Sequence, residues 1–413
     1  MKSKEYRPEL VVPAGDWPSL LSAVESGADS VYFGLKGWNM RQYADNFEPK
    51  DLRKVMTHLH ERGRHGYLAL NTIVKESEVP KLARILNRAK QAGVDAVIVW
   101  DMAWLALARQ AGLRVHLSTQ ASVANSRAVA FFAKQGVRRI ILARECSLAE
   151  IGRINRRIQR LKIPCEIEVF IHGAMCLSIS GRCFLSHYVS GQSANRGACE
   201  QPCRREYLIR EKDGPAEFLV GQDYILSPRD LCALDFIGQL MRTQPAAFKI
   251  EGRMRSPEYV ATVTRVYRQA IDRQLAGRLT APDKHRLKKE LDGVYHRGFS
   301  SGFYFPPPQK TGSRGPQHVL RKFYVGEIVH FFRKIQVAEI RVLDNELKQG
   351  DALLVLGRHL PLRRMQVGEM QRNHRPVSRA AKGQRVGLKV PFAVRPREKV
   401  YVIRPRPGRE DAL

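Results

Sequence analysis

The stretch Ser26-Gly27-Ala28-Asp29-Ser30-Val31-Tyr32-Phe33-Gly34 decides the fold. It ends a helix on a glycine free to take φ > 0, turns, and enters a short β-branched and aromatic strand with no polar alternation. The same device returns at Ala92-Gly93-Val94-Asp95 and Gln135-Gly136-Val137-Arg138. Outward from these points, apolar runs of strand length recur at Glu9–Val12, Ser30–Phe33, Gly66–Leu70, Asp95–Trp100, Val115–Thr119, Arg139–Ala143, Ile167–Ile171 and Ala246–Ile250. Helical patterns separate most of them: Ser19–Ser26, with Asp16 as N-cap and Pro18 in the first turn, then Pro49–Arg62, Val79–Ala92, Ala103–Ala111, Ser126–Gln135 and Ser147–Leu161. Eight strands with intervening helices predict a parallel (β/α)8 TIM-like barrel over residues 1–300, interrupted by an insertion at 173–245. An open doubly wound sheet is the competitor, but it usually carries a Gly-rich phosphate turn, and the chain has no GxGxxG.

After Ile250 a helix is expected from the Ser256 cap through Pro257 and Glu258 to about Leu275, and another near Asp283–Tyr295. The aromatic and Pro-rich stretch Gly298–Pro308, continued by Lys310–Gln317, reads as a linker, with 301–318 separating the two domains. The composition then changes to strand-like runs at Phe323–Phe331, Gln336–Leu343, Ala352–Leu356, Gln366–Met370, Arg385–Val390 and Lys399–Ile403, which predicts a small all-β, barrel-like domain over 319–413. From Arg314 onward there are 22 Lys and Arg against 9 Asp and Glu, more than twice the density of net positive charge in the preceding 313 residues.

The whole chain of 413 residues carries a formal charge of +30 with 44% hydrophobic residues. It has enough apolar material for a folded core, and its charge favours a polyanion: RNA, DNA or an acidic membrane surface. The most apolar stretch, Ala96–Ala108, is broken by Asp101 and falls short of the ~20 residues of a spanning helix. The opening apolar run is too short for a signal peptide, so a cytoplasmic protein that does not enter the membrane is expected.

Four of the seven cysteines fall within 28 positions, Cys176, Cys183, Cys199 and Cys203, in a C-x6-C-x15-C-x3-C spacing. Without an export signal such crowding points to metal before disulfides. Four thiolates suit an iron–sulfur cube or tetrahedral zinc, and unmetallated thiols remain a third reading. Zinc knuckles prefer tighter pairs, and only Cys199/Cys203 fits. Arg182, Arg196, Arg204 and Arg205 suit an anionic cluster, and Gly181 and Gly197 permit close backbone approach. Cys146 and Cys165 read as core residues. Cys232, at an expected helix start, is an alternative fourth ligand to Cys203.

In a barrel of this kind the chemistry gathers where strands end. The residues just past each strand are Pro13 and Gly15, Gly34, Asn71, Asp101, Gln120 and Ser122, Arg144 and Glu145, His172 and Gly173, then Glu251, Gly252 and Arg253.

Leu10-Val-Val-Pro-Ala-Gly15, Gly27-Ala-Asp-Ser-Val-Tyr-Phe-Gly34, Leu117-Ser-Thr-Gln-Ala-Ser122, the His172-Gly-Ala-Met-Cys176 block with Gly181-Arg-Cys183, Asn195-Arg-Gly-Ala-Cys199-Glu-Gln-Pro-Cys203-Arg204 and Lys249-Ile-Glu-Gly-Arg-Met-Arg-Ser256 resemble the U-thirty-two (collagenase-like) peptidase family over roughly residues 9–300. Despite the family label, the resemblance implies a 4Fe–4S cluster and oxygen-independent hydroxylation of a tRNA wobble uridine, an rRNA cytidine or a ubiquinone precursor. Prephenate is implied as the hydroxyl source for the RNA-modifying members. It also implies Cys176, Cys183 and Cys199 as cluster ligands, with Cys203 in the C-x3-C form that many members share as the fourth. A barrel plus one basic β-domain is most similar to the tRNA-hydroxylating branch, which makes tRNA the expected partner and 5-hydroxyuridine the expected product.

Under that reading a flipped, single-stranded base approaches the barrel mouth. The candidates there are His172, Arg144, Glu145, Lys249, Glu251 and Arg253: cations to hold a carboxylated donor, His or Glu to move protons. Lys249 and Glu251, two apart in an extended segment, are expected to point the same way. A peptidase is the second reading. It has no HExxH to stand on, and the GxSxG at Gly298-Phe-Ser-Ser-Gly302 lies in the expected linker, leaving Cys176 near His172 as a conceivable pair.

Overall fold

The computed structural model describes residues 6–205, 207–220, 228–305, 316–357 and 360–406. Seven parallel strands follow one another around a barrel in chain order: β1 (Glu9–Ala14), β2 (Ser30–Gly34), β3 (His65–Ala69), β4 (Ala96–Val99), β5 (Val115–Leu117), β6 (Val137–Ile141) and β7 (Glu166–Gly173). The insertion that follows carries a hairpin of β8 (Tyr207–Arg210) and β9 (Glu217–Val220), then β10 (Asp230–Cys232). The eighth barrel strand, β11 (Ala247–Ile250), pairs in parallel with both β7 and β1 and closes the ring. The (β/α)8 expectation holds.

The reason lies in burial on both faces. All of β2 and β4 is buried, which is why these strands read as continuous apolar runs rather than alternating ones. Helices α1 (Trp17–Glu25), α2 (Leu52–His60), α3 (Val79–Gln91), α4 (Met102–Gln110), α5 (Ser126–Lys134) and α6 (Leu148–Arg160) pack around them. Asp16 caps α1 by accepting from the Ser19 N–H at 2.8 Å, as its place in the sequence implied. In α6 the Ser147/Glu150 capping box starts the helix, and Ile151, Ile154 and Ile158 form its buried stripe. Short helices α7 (Leu185–Ser190) and α8 (Ile237–Arg242) belong to the insertion, and α9 (Pro257–Leu275) and α10 (Ala281–Asp292) follow the barrel.

Two expectations change here. Cys232 does not start a helix: it ends β10, antiparallel to β7 and opposite His172, because a strand there pairs groups that β7 would otherwise leave open. The Gly298–Gly302 stretch is not a free linker. Phe299–Ser300 forms β12 alongside β10, and packing continues to Tyr304, whose hydroxyl donates to the Phe170 carbonyl. Residues 306–315 of the expected linker lie outside the described residues.

The C-terminal part is an eight-stranded antiparallel sheet around its own core, including Val325, Ile340, Leu353, Leu388 and Val402. Five of the six expected strands are present at Leu320–Phe332, Val337–Val342, Ala352–Gly357, Arg385–Lys389 and Lys399–Pro405. The expected Gln366–Met370 strand instead joins two others, Leu360–Gln366 and Met370–Arg372. The Val367 N–H and carbonyl there bind the Gly350–Asp351 turn rather than a neighbouring strand. The Leu360–Gln366 strand docks on α1 and α9 through Leu362 N to Ser22 Oγ (3.2 Å), Arg363 to Glu25 (2.9 Å) and Arg364 to Thr262 (3.3 Å).

Candidate active site

A cavity of about 240 Å³ opens where the barrel strands end. Its floor is a closed charge network. Lys249 of β11 donates to Glu168 of β7 at 2.7 Å and lies 3.8 Å from the Tyr32 ring centroid. Glu168 also faces Arg139 at 3.5 Å, and Arg139 binds Glu9 (2.7 Å) and Glu166 (2.8 Å). Burial pulls the Lys249 ammonium below the usual lysine range, against the opposing pull of Glu168.

From that floor upward, Lys249, Glu251 and Arg253 all line the cavity, in keeping with their two-residue spacing. Arg41 donates to Glu251 Oε1 from Nη2 at 3.1 Å and from Nε at 3.3 Å, and Arg144 reaches Oε2 at 3.4 Å. Burial alone would raise the Glu251 carboxyl, but Arg41, Arg144 and Arg253 outweigh it and hold it at about 2. Glu251 is therefore ionised throughout the physiological range and is no proton donor. Arg253 donates to Asn39 Oδ1 at 2.8 Å. Arg255 and Arg297 share the buried Asp230 at 3.4 and 3.7 Å, and both also line the cavity.

Arg41, Arg144, Arg204, Lys249, Arg253, Arg255 and Arg297 thus face one space, with Glu251 on its wall and Glu168 and Asp230 behind. Seven cations against three carboxylates leave a positive surplus that an anionic ligand would complement.

Two expected members do not join this group. His172 is buried among the rings of Tyr259, Tyr267 and Phe299, with its Nδ1 3.3 Å from the Tyr267 hydroxyl. The register of β7 against β11 shifts between the pairs Lys249/Phe170 and Ile250/His172, so Phe170 lines the cavity while His172 turns toward α9. Burial pushes its imidazole down to about 3. Glu145 is also diverted: it accepts from the Ser180 N–H (2.9 Å) and hydroxyl (3.3 Å), tying the cysteine-bearing insertion to the barrel.

Cys176, Cys183, Cys199 and Cys203 all line the same cavity as the arginines. Burial pushes the Cys203 thiol up and Arg204 pulls it back. The other three thiols are near enough to raise it further. Among the described residues no three His, Cys, Asp or Glu side chains draw together tightly enough to share a single ion. Cys232 takes no part: its sulfur accepts from the Tyr267 hydroxyl at 3.6 Å, away from the cavity.

The basic residues near the cysteines also sort differently from their sequence reading. Arg196 is spent on a two-pronged pair with Glu78 (2.6 and 2.8 Å), and Arg182 donates to Ser122 (3.0 Å). Arg204, which lines the cavity, staples the insertion through the carbonyls of Pro228 (2.6 Å) and Met175 (2.8 Å). Gly197 does permit close approach: at φ +90°, a Cβ there would lie 2.3 Å from the Asn39 carbonyl oxygen. Gly181 has open space around it and serves only its positive φ.

Arg41, Asn39 and Tyr32 were not among the residues singled out from the sequence. The available signal was length, since residues 35–48 between β2 and the next helical turn make an unusually long strand-to-helix loop. Its Gln42 N–H donates to the Gly197 carbonyl at 3.1 Å, joining it to the cysteine insertion.

The sequence profile of peptidase family U32 matches residues 15–314, which include every side chain of this cavity. The chain belongs to peptidase family U32. Relatives extend over nearly the whole length. The chain is 42% identical to an uncharacterised protease of Methanocaldococcus jannaschii, covering 96% of this chain and 98% of the relative. It is 36% identical to a protein named collagenase of Porphyromonas gingivalis, covering 95% and 97%. It is 33% identical to tRNA hydroxylation protein P1 of Bacillus subtilis, covering 85% and 84%. U32 members thus carry both proteolytic and RNA-modification names, and the site chemistry must choose between them.

Proposed function

We propose that this chain is an iron–sulfur enzyme that hydroxylates the wobble uridine of tRNA to 5-hydroxyuridine without oxygen, in the cytoplasm, with prephenate as the hydroxyl source. The observation that carries this reading is four thiols and a surplus of cations lining one cavity. Cys176, Cys183, Cys199 and Cys203 fit a 4Fe–4S cluster in type, number and common cavity. Each thiolate of such a cube bonds a separate iron, so the sulfurs need surround a volume rather than meet at a point. The cluster would supply one-electron redox chemistry at the cavity wall.

The remaining steps belong to this chain's own side chains. Arg253, Arg255 and Arg297 offer guanidinium groups to a donor with two carboxylates, and Glu251 holds Arg41 and Arg144 in place beside them. His172 and Glu251 are unsuited to carry protons at neutral pH, one buried outside the cavity and the other held ionised by Arg41 and Arg144. Lys249 faces the cavity with its ammonium held by Glu168 at 2.7 Å, and is the group placed to hold a proton there. The RNA reading also draws support from the name of the Bacillus subtilis relative and from the basic C-terminal sheet.

The proteolytic names of the Methanocaldococcus jannaschii and Porphyromonas gingivalis relatives find no comparable support in the site. Ser300, the serine of the GxSxG, is buried, and its Oγ accepts from the Gly302 N–H rather than lining the cavity. Cys176 has no histidine partner in His172, which turns to the opposite side of β7.

Two measurements test the proposal. Anaerobically purified protein should show a broad absorbance band near ~400 nm. Nucleosides from tRNA of cells lacking the gene should lose 5-hydroxyuridine by mass spectrometry. Unchanged hydroxyuridine, or a loss confined to rRNA, would overturn the assignment to tRNA.

A further inference from the structure

Helix α7 begins two residues after Cys183, and its two faces do different things. Leu185 and Ser186 line the cavity, and the Ser186 hydroxyl lies 3.8 Å from the Cys199 sulfur and accepts from the Glu200 N–H at 3.1 Å. Outward instead point Phe184, the residue just before the helix, and Tyr188 four positions on, which are 65% and 82% exposed. Their ring centroids are 6.4 Å apart, and His187 lies 6.0 Å from Tyr188. Two large rings left mostly in water this way add little burial to the fold.

We propose that Phe184 and Tyr188 form a stacking platform for unpaired RNA bases at the rim of the cavity. On the RNA-hydroxylase reading above, which this inference deepens, the platform holds nucleotides flanking the one that enters. Three features favour a single strand of nucleic acid over a protein partner. The rings stand beside a cavity with surplus positive charge, and exposed Arg182 precedes them in the chain. The molecule carries +30 overall, which complements a phosphate backbone. Every base also has a π-face, so two aromatic rings at one-turn spacing engage a strand whatever its sequence. A paired duplex hides those faces, and the platform therefore selects an open loop.

The test is fluorescence anisotropy with holoenzyme, using a labelled single-stranded RNA heptamer and a blunt duplex of the same sequence. Wild type should bind the single strand more tightly than the duplex. F184A and Y188A should each weaken single-strand binding about tenfold, leaving duplex binding and the ~400 nm absorbance unchanged. Y188F and F184Y, which keep the rings, should bind as wild type does. Equal single-strand affinity in wild type and the F184A/Y188A double variant would overturn the platform, as would equal weakening by Y188F. A change of oligomeric state in the double variant, seen by light scattering without loss of RNA affinity, would make the rim a contact between copies instead. None of these outcomes touches the nucleoside assay, so a failed platform and a failed hydroxylase reading remain distinct results.

Discussion

Two clusters of buried charge share the strands β6, β7 and β11, and they are built differently. At the floor, Arg114, Arg139 and Lys249 are matched by Glu9, Glu166 and Glu168, three cations to three carboxylates. At the mouth, Arg41 and Arg144 converge on Glu251, Arg253 adds its charge nearby while binding Asn39, and Arg255 and Arg297 share Asp230. A matched cluster satisfies itself and holds strands in register. An unmatched one is stable only because part of its charge faces a cavity where water or a ligand anion solvates it. The lesson is that buried charge marks a binding site by its imbalance, not by its presence.

The largest expected effect lies at the mouth. C183S or C199S should abolish the ~400 nm band and reduce hydroxyuridine to the level of cells lacking the gene, whereas C232S should preserve both. Loss of the band in C232S would instead return that buried thiol to the ligand set.

At the floor the expected effect is on folding. E168Q leaves Lys249 and Arg139 without their shared carboxylate in a buried place, and should cost about 3–5 kcal/mol in urea unfolding. A cost below about 1 kcal/mol would mean that the floor is as well solvated as the mouth, and the contrast would fail.

The pH dependence sharpens the comparison. Glu251 is held at about 2 in the folded chain, against an ordinary value of 4.5. Its contribution to stability is present above the ordinary value and disappears as pH falls through the folded one. The difference is worth about 3 kcal/mol. E251Q should therefore flatten the acid loss of stability between roughly pH 4.5 and 2, measured by denaturant titration at successive pH values. An unchanged slope would show that the arginines do not act on Glu251 as their geometry implies.

The smallest effect belongs to an exposed pair and calibrates the rest. R363A removes the contact with Glu25 between the terminal sheet and α1, and should lower stability by less than about 1 kcal/mol.

Much of this protein is legible in its sequence because local rules suffice for it. The continuous apolar runs at Ser30–Phe33 and Asp95–Trp100, the Asp16 cap and the glycine turns state the barrel strand by strand, since both faces of each strand are covered. The four clustered cysteines and the Lys249–Glu251–Arg253 series are legible too, because spacing along an extended segment decides which side chains share a face. Tertiary structure decided what depends on neighbours distant in the chain. A single register shift between β7 and β11 turned His172 from the cavity into the core. A hydrogen bond to Ser180 made Glu145 a tether, and a long loop brought Arg41 to Glu251 across 210 positions. Periodicity predicts the face of a strand only while its register holds, and no local pattern states which distant charge will fold against it.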